Sequence, residues 1–229
     1  MAWGSRGGRT RIGAWAAAVA LAVGGITYSS WVLDLIEPSG LDRFRTFLSQ
    51  LEEPGVPWHQ AYEYGDIVTG VLVITAAMLL QRSPRTPGVA ARIATVAVGC
   101  FGAATVADAL SPLDAVPVVH AVTSALAVFA LFVTMGATTW AAVRDGAWPP
   151  MATAGALVFA VVALSTGWML VSDRLDGDHL LGLAQRIQVG GMSAWLVVWG
   201  VSVGRSSRTS SSNPIPATPR TRSGRPPTR

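Results

Sequence analysis

Long apolar segments, separated by short polar connections, dominate the chain. A helix needs about 20 mostly apolar residues to cross a hydrocarbon core of roughly 30 Å. Six segments meet this requirement: 12–34, 65–81, 90–110, 118–142, 151–172 and 184–204. An open sheet leaves edges that lipid cannot satisfy, and the alternating segments of a transmembrane barrel are absent. The pattern therefore predicts an all-α membrane protein, a six-transmembrane-helix up-and-down bundle.

The composition agrees with lipid as the main solvent. Apolar residues make up 51% of the 229 residues, and charged residues make up only 13%. So few charges do not cover a soluble globule of this size. All 17 basic residues are Arg, beside abundant Ala, Gly and Val, a bias typical of GC-rich bacteria. We therefore expect a multi-pass protein of a bacterial inner membrane, with the lipid bilayer as a partner.

Most of the Arg residues lie in every second connection of the predicted bundle, which places them on one side of the membrane. Most precede the first span, follow the second and fourth, or lie in the tail: Arg6, Arg9, Arg11, Arg82, Arg85, Arg92, Arg144, Arg205, Arg208, Arg220, Arg222, Arg225 and Arg229. Cytoplasmic connections retain Arg, so both termini are predicted to be cytoplasmic. The domains are then a cytoplasmic N-terminus (1–11), a transmembrane domain (12–204) with an external loop (35–64), and a disordered Arg/Ser/Pro-rich tail (205–229). Arg in such a tail does not indicate nucleic-acid binding, which favours a folded basic face with aromatic platforms.

The acidic residues show the reverse distribution. Of the 13 acids, only Asp145 lies on the Arg-rich side. The others lie at or beyond the opposite face: Asp34, Glu37, Asp42, Glu52, Glu53, Glu63, Asp66, Asp108, Asp114, Asp173, Asp176 and Asp178. Acids contribute little to the orientation of insertion, so this asymmetry needs another cause. One candidate is a function at the outer face.

Polar side chains at the outer ends of the predicted spans form the candidate site. Asp66 opens the second span, Asp108 closes the third and His120 opens the fourth, where Ser124 shares its side of the helix at i, i+4 spacing. Up-and-down threading brings these ends to one face, so we predict an outward-facing polar pocket. The candidate ligand-binding residues are Asp66, Asp108, Asp114, His120, Gln185 and Arg186, and the candidate catalytic residues are Asp66, Asp108, His120 and Ser124.

These groups also have structural interpretations. Asp66 at a helix start could cap the helix, where the helix dipole favours an acid. Asp108 at a helix end is disfavoured by the dipole and needs a partner, for which Arg186 is the leading candidate. His120 could simply donate a hydrogen bond to a carboxylate.

Aromatic residues near the ends of the spans are interpreted as interfacial anchors. They are Trp31, Trp58, Tyr62 and Tyr64 at the outer face, and Trp140 and Trp148 at the inner face. The external loop also contains a short amphipathic stretch, 44–51, that could lie on the bilayer surface.

The sequence contains no motif that identifies a reaction. Cys100 is the only cysteine, so an intramolecular disulfide and a cysteine-rich metal cluster are both excluded. There is no P-loop, no Gly-x-Ser-x-Gly elbow and no His-Glu-x-x-His pair. The prediction therefore includes no cofactor and no metal site.

Five short motifs follow one another along the chain: Pro54-Gly55-Val56-Pro57, Gly65-Asp66, Asp108 with Pro112-Leu113-Asp114, His120, and Gly182-Leu183-Ala184-Gln185-Arg186. Their order and spacing resemble the bacterial domain of unknown function 998 (DUF998) family of integral membrane proteins, over about residues 12–204. The resemblance implies a fold without an assigned activity. Members often have Cys after Pro-Leu-Asp, where this chain has Ala115, which argues against a shared disulfide.

Three functions remain open. The first is a structural, sensory or accessory protein whose outer pocket binds a small ligand or a lipid headgroup. The second is a membrane-embedded, metal-assisted hydrolase or lipid-modifying enzyme, in which Asp66, Asp108 and His120 hold a metal or act as acid and base. The third is a small-solute transporter, although the ionisable groups lie near one face rather than at mid-membrane. The pattern leaves the oligomeric state open.

Overall fold

The computed structural model describes residues 5–83, 88–172, 174–175 and 179–209, and every regular element within these ranges is helical. The helices are α1 (Ser5–Thr27), α2 (Leu33–Ile36), α3 (His59–Gln81), α4 (Gly88–Ala109), α5 (Pro117–Asp145), α6 (Ala156–Ser172) and α7 (Leu181–Thr209). Short 3-10 turns form at Ser30–Val32 and Leu48–Glu52, and a π-helical turn at Met151–Gly155 leads into α6. Asp173, Asp176, Asp178 and the predicted tail beyond Thr209 lie outside the described residues.

In the described part of the chain, six helical stretches are long and apolar enough to cross a membrane. They are Arg11–Ile36, His59–Gln81, Gly88–Ala109, Pro117–Asp145, Met151–Ser172 and Leu181–Ser206. Each one overlaps a predicted span, so the predicted all-α, six-helix architecture is confirmed. The chain is a multi-pass membrane protein.

The second span begins earlier than the sequence pattern predicts. α3 starts at His59, directly after Trp58, whose left-handed backbone (φ 64°) turns the chain from the proline-containing turn into the helix. Asp66 therefore lies about two turns inside α3. Its predicted role as a helix cap is wrong, and the loop between the first two spans is shortened to residues 37–58.

The long helices pack against one another in the order α5, α4, α3, α1, α7, α6. A Cβ atom at Gly70 on α3 would lie only 2.5 Å from the carbonyl oxygen of Gly102 on α4. Likewise, a Cβ atom at Gly25 on α1 would lie 2.6 Å from the carbonyl oxygen of Ser193 on α7. Such close approach of small residues is typical of helix packing in membranes. It sets the spacing of the helices that carry the candidate site.

A tryptophan cluster packs between α7 and the start of the fifth span. The rings of Trp148 and Trp199 meet edge to face at 5.3 Å, and Trp195 lies 5.2 Å from Trp199. All three side chains are buried. The predicted role of Trp148 as an interfacial anchor is therefore wrong, because its left-handed turn (φ 50°) leads into the π-helical segment with the ring packed in the core. Trp140 is exposed, with the guanidinium of Arg144 at 5.9 Å from its ring.

Candidate functional site

The loop 37–58 docks on the beginning of α7. Arg186 Nη1 donates hydrogen bonds to the carbonyl oxygens of Arg43 and Thr46, each at 2.8 Å. The Leu48 amide donates to Oε1 of Gln185 at 2.6 Å. These contacts hold the loop across the end of the bundle that carries most of the described acids, which we call the acid-rich end.

Gly182 allows the loop to approach α7 closely. A Cβ atom at this position would lie 2.8 Å from the carbonyl oxygen of Arg43. The Leu183 amide, next along the helix, donates to the carbonyl oxygen of Phe44 at 3.2 Å. The motif 182–186 therefore forms the surface that holds the loop.

Arg186 also flanks a buried carboxylate. Its Nη2 lies 3.7 Å from Asp34 Oδ2, and Arg43 Nε lies 3.1 Å from the same oxygen. The Asp34 side chain is only 1% exposed, so the two guanidinium groups supply the charge that its burial requires. The expected ion pair between Asp108 and Arg186 is wrong. Arg186 instead pairs with the loop carbonyls and Asp34.

Beneath the docked loop lies a cavity of about 100 Å³, which we call the acidic cavity. Four of the long helices (α3, α4, α5 and α7), the segment that follows α1 and the loop contribute its walls: Tyr28, Ser30, Trp31, Leu48, Ser49, Leu51, Glu52, Tyr62, Asp66, Thr105, Asp108, Ser124, Ala127, Val128, Gln185, Gln188 and Val189. Such a volume accommodates several water molecules or a small organic group.

Carboxyl groups from three segments line the acidic cavity. Glu52 comes from the loop, Asp66 from α3 and Asp108 from α4, and its described lining residues include no Arg, Lys or His. Burial, together with the charges of Asp108 and Glu63, raises the pKa of Glu52 to about 8. Glu52 is therefore mostly protonated at neutral pH, and a bound cation would favour its ionised form.

Side chains of α5 hold the carboxylate of Asp108. Ser124 Oγ lies 2.8 Å from both carboxylate oxygens, and Thr123 Oγ1 donates to Oδ1 at 2.6 Å. His120 Nδ1 lies 3.3 Å from Oδ1 and 3.0 Å from the carbonyl oxygen of Ser111. A carbonyl oxygen only accepts, so Nδ1 carries the proton. The i, i+4 pair His120 and Ser124 thus contacts one carboxylate from one face of the helix.

Aromatic side chains complete the walls of the acidic cavity: Tyr28, Trp31 and Tyr62. Tyr62 is 3% exposed and its hydroxyl has no hydrogen-bond partner in the described residues; the same is true of Trp31 Nε1. The predicted role of Tyr62 as an interfacial anchor is wrong, because the side chain is a buried wall residue.

The structure brings together part of the predicted site. Four of its residues line the acidic cavity: Asp66, Asp108, Ser124 and Gln185. His120 is not a lining residue and contacts Asp108 from behind, whereas Arg186 holds the loop. Asp114 is exposed in the connection between α4 and α5.

The sequence pattern did not predict that Glu52 and Tyr28 line the cavity. No periodicity relates Glu52 in a loop to acids on helices, and Tyr28 follows an apolar helix, where it resembles a core residue. The amphipathic stretch 44–51 was the available signal. Its last residue, Leu51, is buried and lines the acidic cavity, so this end of the stretch packs on the bundle rather than on the bilayer surface.

The carboxyl groups surround the acidic cavity rather than converge on one point. Among the residues that the structure describes, no group of three or more His, Cys, Asp or Glu side chains is placed to hold a metal ion. The arrangement instead combines separated carboxyl groups with aromatic rings.

Comparison with known proteins identifies a matching family. A family model described as a protein of unknown function (DUF998) matches residues 21–202 of the chain. No curated protein and no solved structure matches it.

Proposed function

We propose that this chain, which belongs to the DUF998 family, binds a small organic ammonium group in the acidic cavity. This is the family that the order and spacing of the sequence motifs predicted. Its description names no activity, so the chemistry of the cavity carries the proposal.

The supporting observation is that three carboxyl groups and three aromatic rings surround one small volume. Carboxylates attract a cation by charge, and the faces of Tyr and Trp rings attract it through their quadrupoles. A Ca²⁺ ion would instead take six to eight oxygen ligands at about 2.3–2.6 Å. An ammonium group accepts a looser arrangement.

We infer that the acidic cavity lies on the outer side of a bacterial inner membrane, with both termini in the cytoplasm. The opposite end of the bundle carries Arg82 after α3, Arg92 near the start of α4 and Arg144 near the end of α5. Cytoplasmic connections retain Arg, which supports this orientation.

The other two functions stay predictions. A metal-assisted hydrolase would need a metal-binding group, and the described residues form none of three or more His, Cys, Asp or Glu side chains. A transporter would need ionisable groups along a route through the membrane, whereas the described carboxyls of the cavity lie at one end of the bundle.

Binding of tetramethylammonium to the protein in phosphatidylglycerol nanodiscs tests the proposal. Asp66→Asn and Asp108→Asn each replace a carboxyl group of the cavity by an amide of nearly the same shape. Each is expected to weaken binding roughly 10- to 100-fold, because a contact with an ionised group contributes about 1.5–3 kcal/mol. Isothermal titration calorimetry measures the dissociation constants.

The matched control is Asp114→Asn, which removes an exposed acid at the same end of the bundle. It should bind tetramethylammonium as tightly as the unmodified protein. Absence of binding to the unmodified protein, or equal weakening by Asp66→Asn and Asp114→Asn, would overturn the proposal.

A further inference from the structure

We propose that the ammonium group is the headgroup of a membrane amphiphile whose alkyl chain lies in a groove between α4 and α5. This inference rests on the proposed function and names the class of ligand. It is carried by the position of the groove relative to Asp108.

The groove is apolar and lies on the surface of the bundle. It has a volume of about 810 Å³, and its walls include Ile93, Val96 and Cys100 from α4 and Leu126 and Phe129 from α5. These side chains are exposed, so in a membrane they face the hydrocarbon. An alkyl chain matches this lining.

One end of the groove lies beside the acidic cavity, and the two share no lining residue. Thr123 lines the groove, and its Oγ1 lies 2.6 Å from Oδ1 of Asp108, which lines the cavity. Ala107, the neighbour of Asp108 in the chain, also lines the groove. One hydroxyl group therefore separates the apolar groove from a cavity carboxylate. A molecule with a cationic head and an apolar tail would place each part in its matching environment.

The loop covers the acidic cavity on the side away from the helices. Leu48, Ser49 and Leu51 form part of its wall, and the contacts of Gln185 and Arg186 fix the loop in place. A ligand that arrives through the bilayer would reach Asp108 by displacing the Thr123 hydroxyl rather than the loop. This favours a ligand already dissolved in the membrane.

The dimensions of the groove suit one alkyl chain. Along α4 it extends from Val89 to Ala107, a rise of about 27 Å at 1.5 Å per residue. One leaflet contributes about half of the roughly 30 Å hydrocarbon core. The groove is therefore long enough to hold a chain of one leaflet whose headgroup lies near Asp108.

A comparison of octyltrimethylammonium with tetramethylammonium tests this inference. The two compounds share the headgroup and differ in one alkyl chain. In phosphatidylglycerol nanodiscs, the dissociation constant of the octyl compound, referred to its free concentration in water, is expected to be at least about tenfold lower, because each methylene gains free energy on transfer from water into the groove. Titration of protein-free nanodiscs gives the heat of partitioning into lipid, which is subtracted as background, and the free aqueous concentration of each compound.

Groove-filling variants locate the chain. Ala103→Phe and Val96→Phe each place a phenyl ring in the groove. Each variant should lower the affinity for the octyl compound at least about fivefold and leave the affinity for tetramethylammonium unchanged. Ala160→Phe, at an exposed alanine on α6, is the matched control and should change neither affinity. Two groove positions are used so that the test survives if one variant fails to fold.

The outcomes separate the two proposals. Binding of tetramethylammonium without a gain from the octyl chain overturns this inference and leaves the proposed function in place. A gain that Ala103→Phe, Val96→Phe and Ala160→Phe all leave unchanged also overturns it, because the chain then lies outside the groove. Failure of both compounds to bind overturns the proposed function and the inference together.

Discussion

At the scale of single residues, Glu52 connects the acidic cavity to the stability of the fold. It faces Glu63 and Asp66 of α3 and Asp108 of α4, as well as the ring of Tyr28. Its pKa is raised from its usual 4.5 to about 8 in the folded protein. Between these values the folded chain keeps a proton that the unfolded chain releases. The contribution of Glu52 to stability therefore falls as pH rises through this window.

Glu52→Gln is expected to remove this pH dependence. At about pH 5 the side chain is neutral in the folded protein, so the variant and the unmodified protein should unfold at similar temperatures. At about pH 9 the ionised Glu52 lies among other acids, so the variant should unfold at the higher temperature. Thermal unfolding across this pH range measures the difference. Glu53→Gln, at the neighbouring acid, is the control, and a matching gain for both variants at high pH would contradict the assignment to Glu52.

Spacing along the chain predicted some residue contacts and missed others. His120 and Ser124 were expected on one helix face, and both contact Asp108. The partners of Arg186 were not predictable, because Asp34 and the loop carbonyls are distant in sequence. Thr46, for example, precedes Arg186 by 140 residues and contacts it only in the folded protein. Helical periodicity describes neighbours within an element and carries no information about such distant contacts.

At the scale of elements, the α3–α4 crossing fixes the separation of Asp66 from Asp108. A Cβ atom at Gly102 would lie 2.6 Å from the carbonyl oxygen of Gly70, a distance that forces one helix to shift. The backbone of a helix does not yield as the end of a flexible side chain does. Both the packing and the acidic cavity therefore depend on this pair of glycines.

Gly102→Ala is expected to destabilise the protein by about 1–3 kcal/mol, the usual cost of overpacking. It should also weaken tetramethylammonium binding, since the carboxyls on the two helices move apart. Gly167→Ala on α6 is the control, because a Cβ atom there meets nothing within 4 Å. Chemical denaturation in detergent measures both variants. Equal stability of Gly102→Ala and Gly167→Ala would show that the crossing tolerates a methyl group.

Hydropathy predicted the existence of every span more reliably than where each begins. The start of α3 was placed too late because residues 59–64 are polar and aromatic, although they continue the helix toward the loop. Trp148 was assigned to the interface because it lies between two spans, whereas its turn directs the ring into the core. In both cases a local backbone conformation decided the outcome, and hydropathy does not report such conformations.

At the scale of the whole molecule, the proposed orientation assigns the two ends of the bundle to different compartments. In a Cys100→Ser background, Asp114→Cys introduces a thiol at the acid-rich end and Ser83→Cys introduces one just beyond α3 at the other end. A membrane-impermeant maleimide should label Asp114→Cys in intact cells and Ser83→Cys only after permeabilisation. The reverse pattern would contradict the orientation, and labelling of neither variant after solubilisation would show that the thiols are shielded.

Because the loop docks on α7 mainly through its backbone, its side chains can change without loss of the attachment. The contacts of α7 with the loop use mainly backbone atoms: the carbonyl oxygens of Arg43, Phe44 and Thr46, and the amide of Leu48. Side chains farther along, at Ser49 and Glu52, line the cavity without taking part in this attachment. Replacing them would change which headgroup is recognised while the membrane helices keep their packing. Under the proposed function, a single bundle could thus give rise, over evolutionary time, to proteins that bind different ligands.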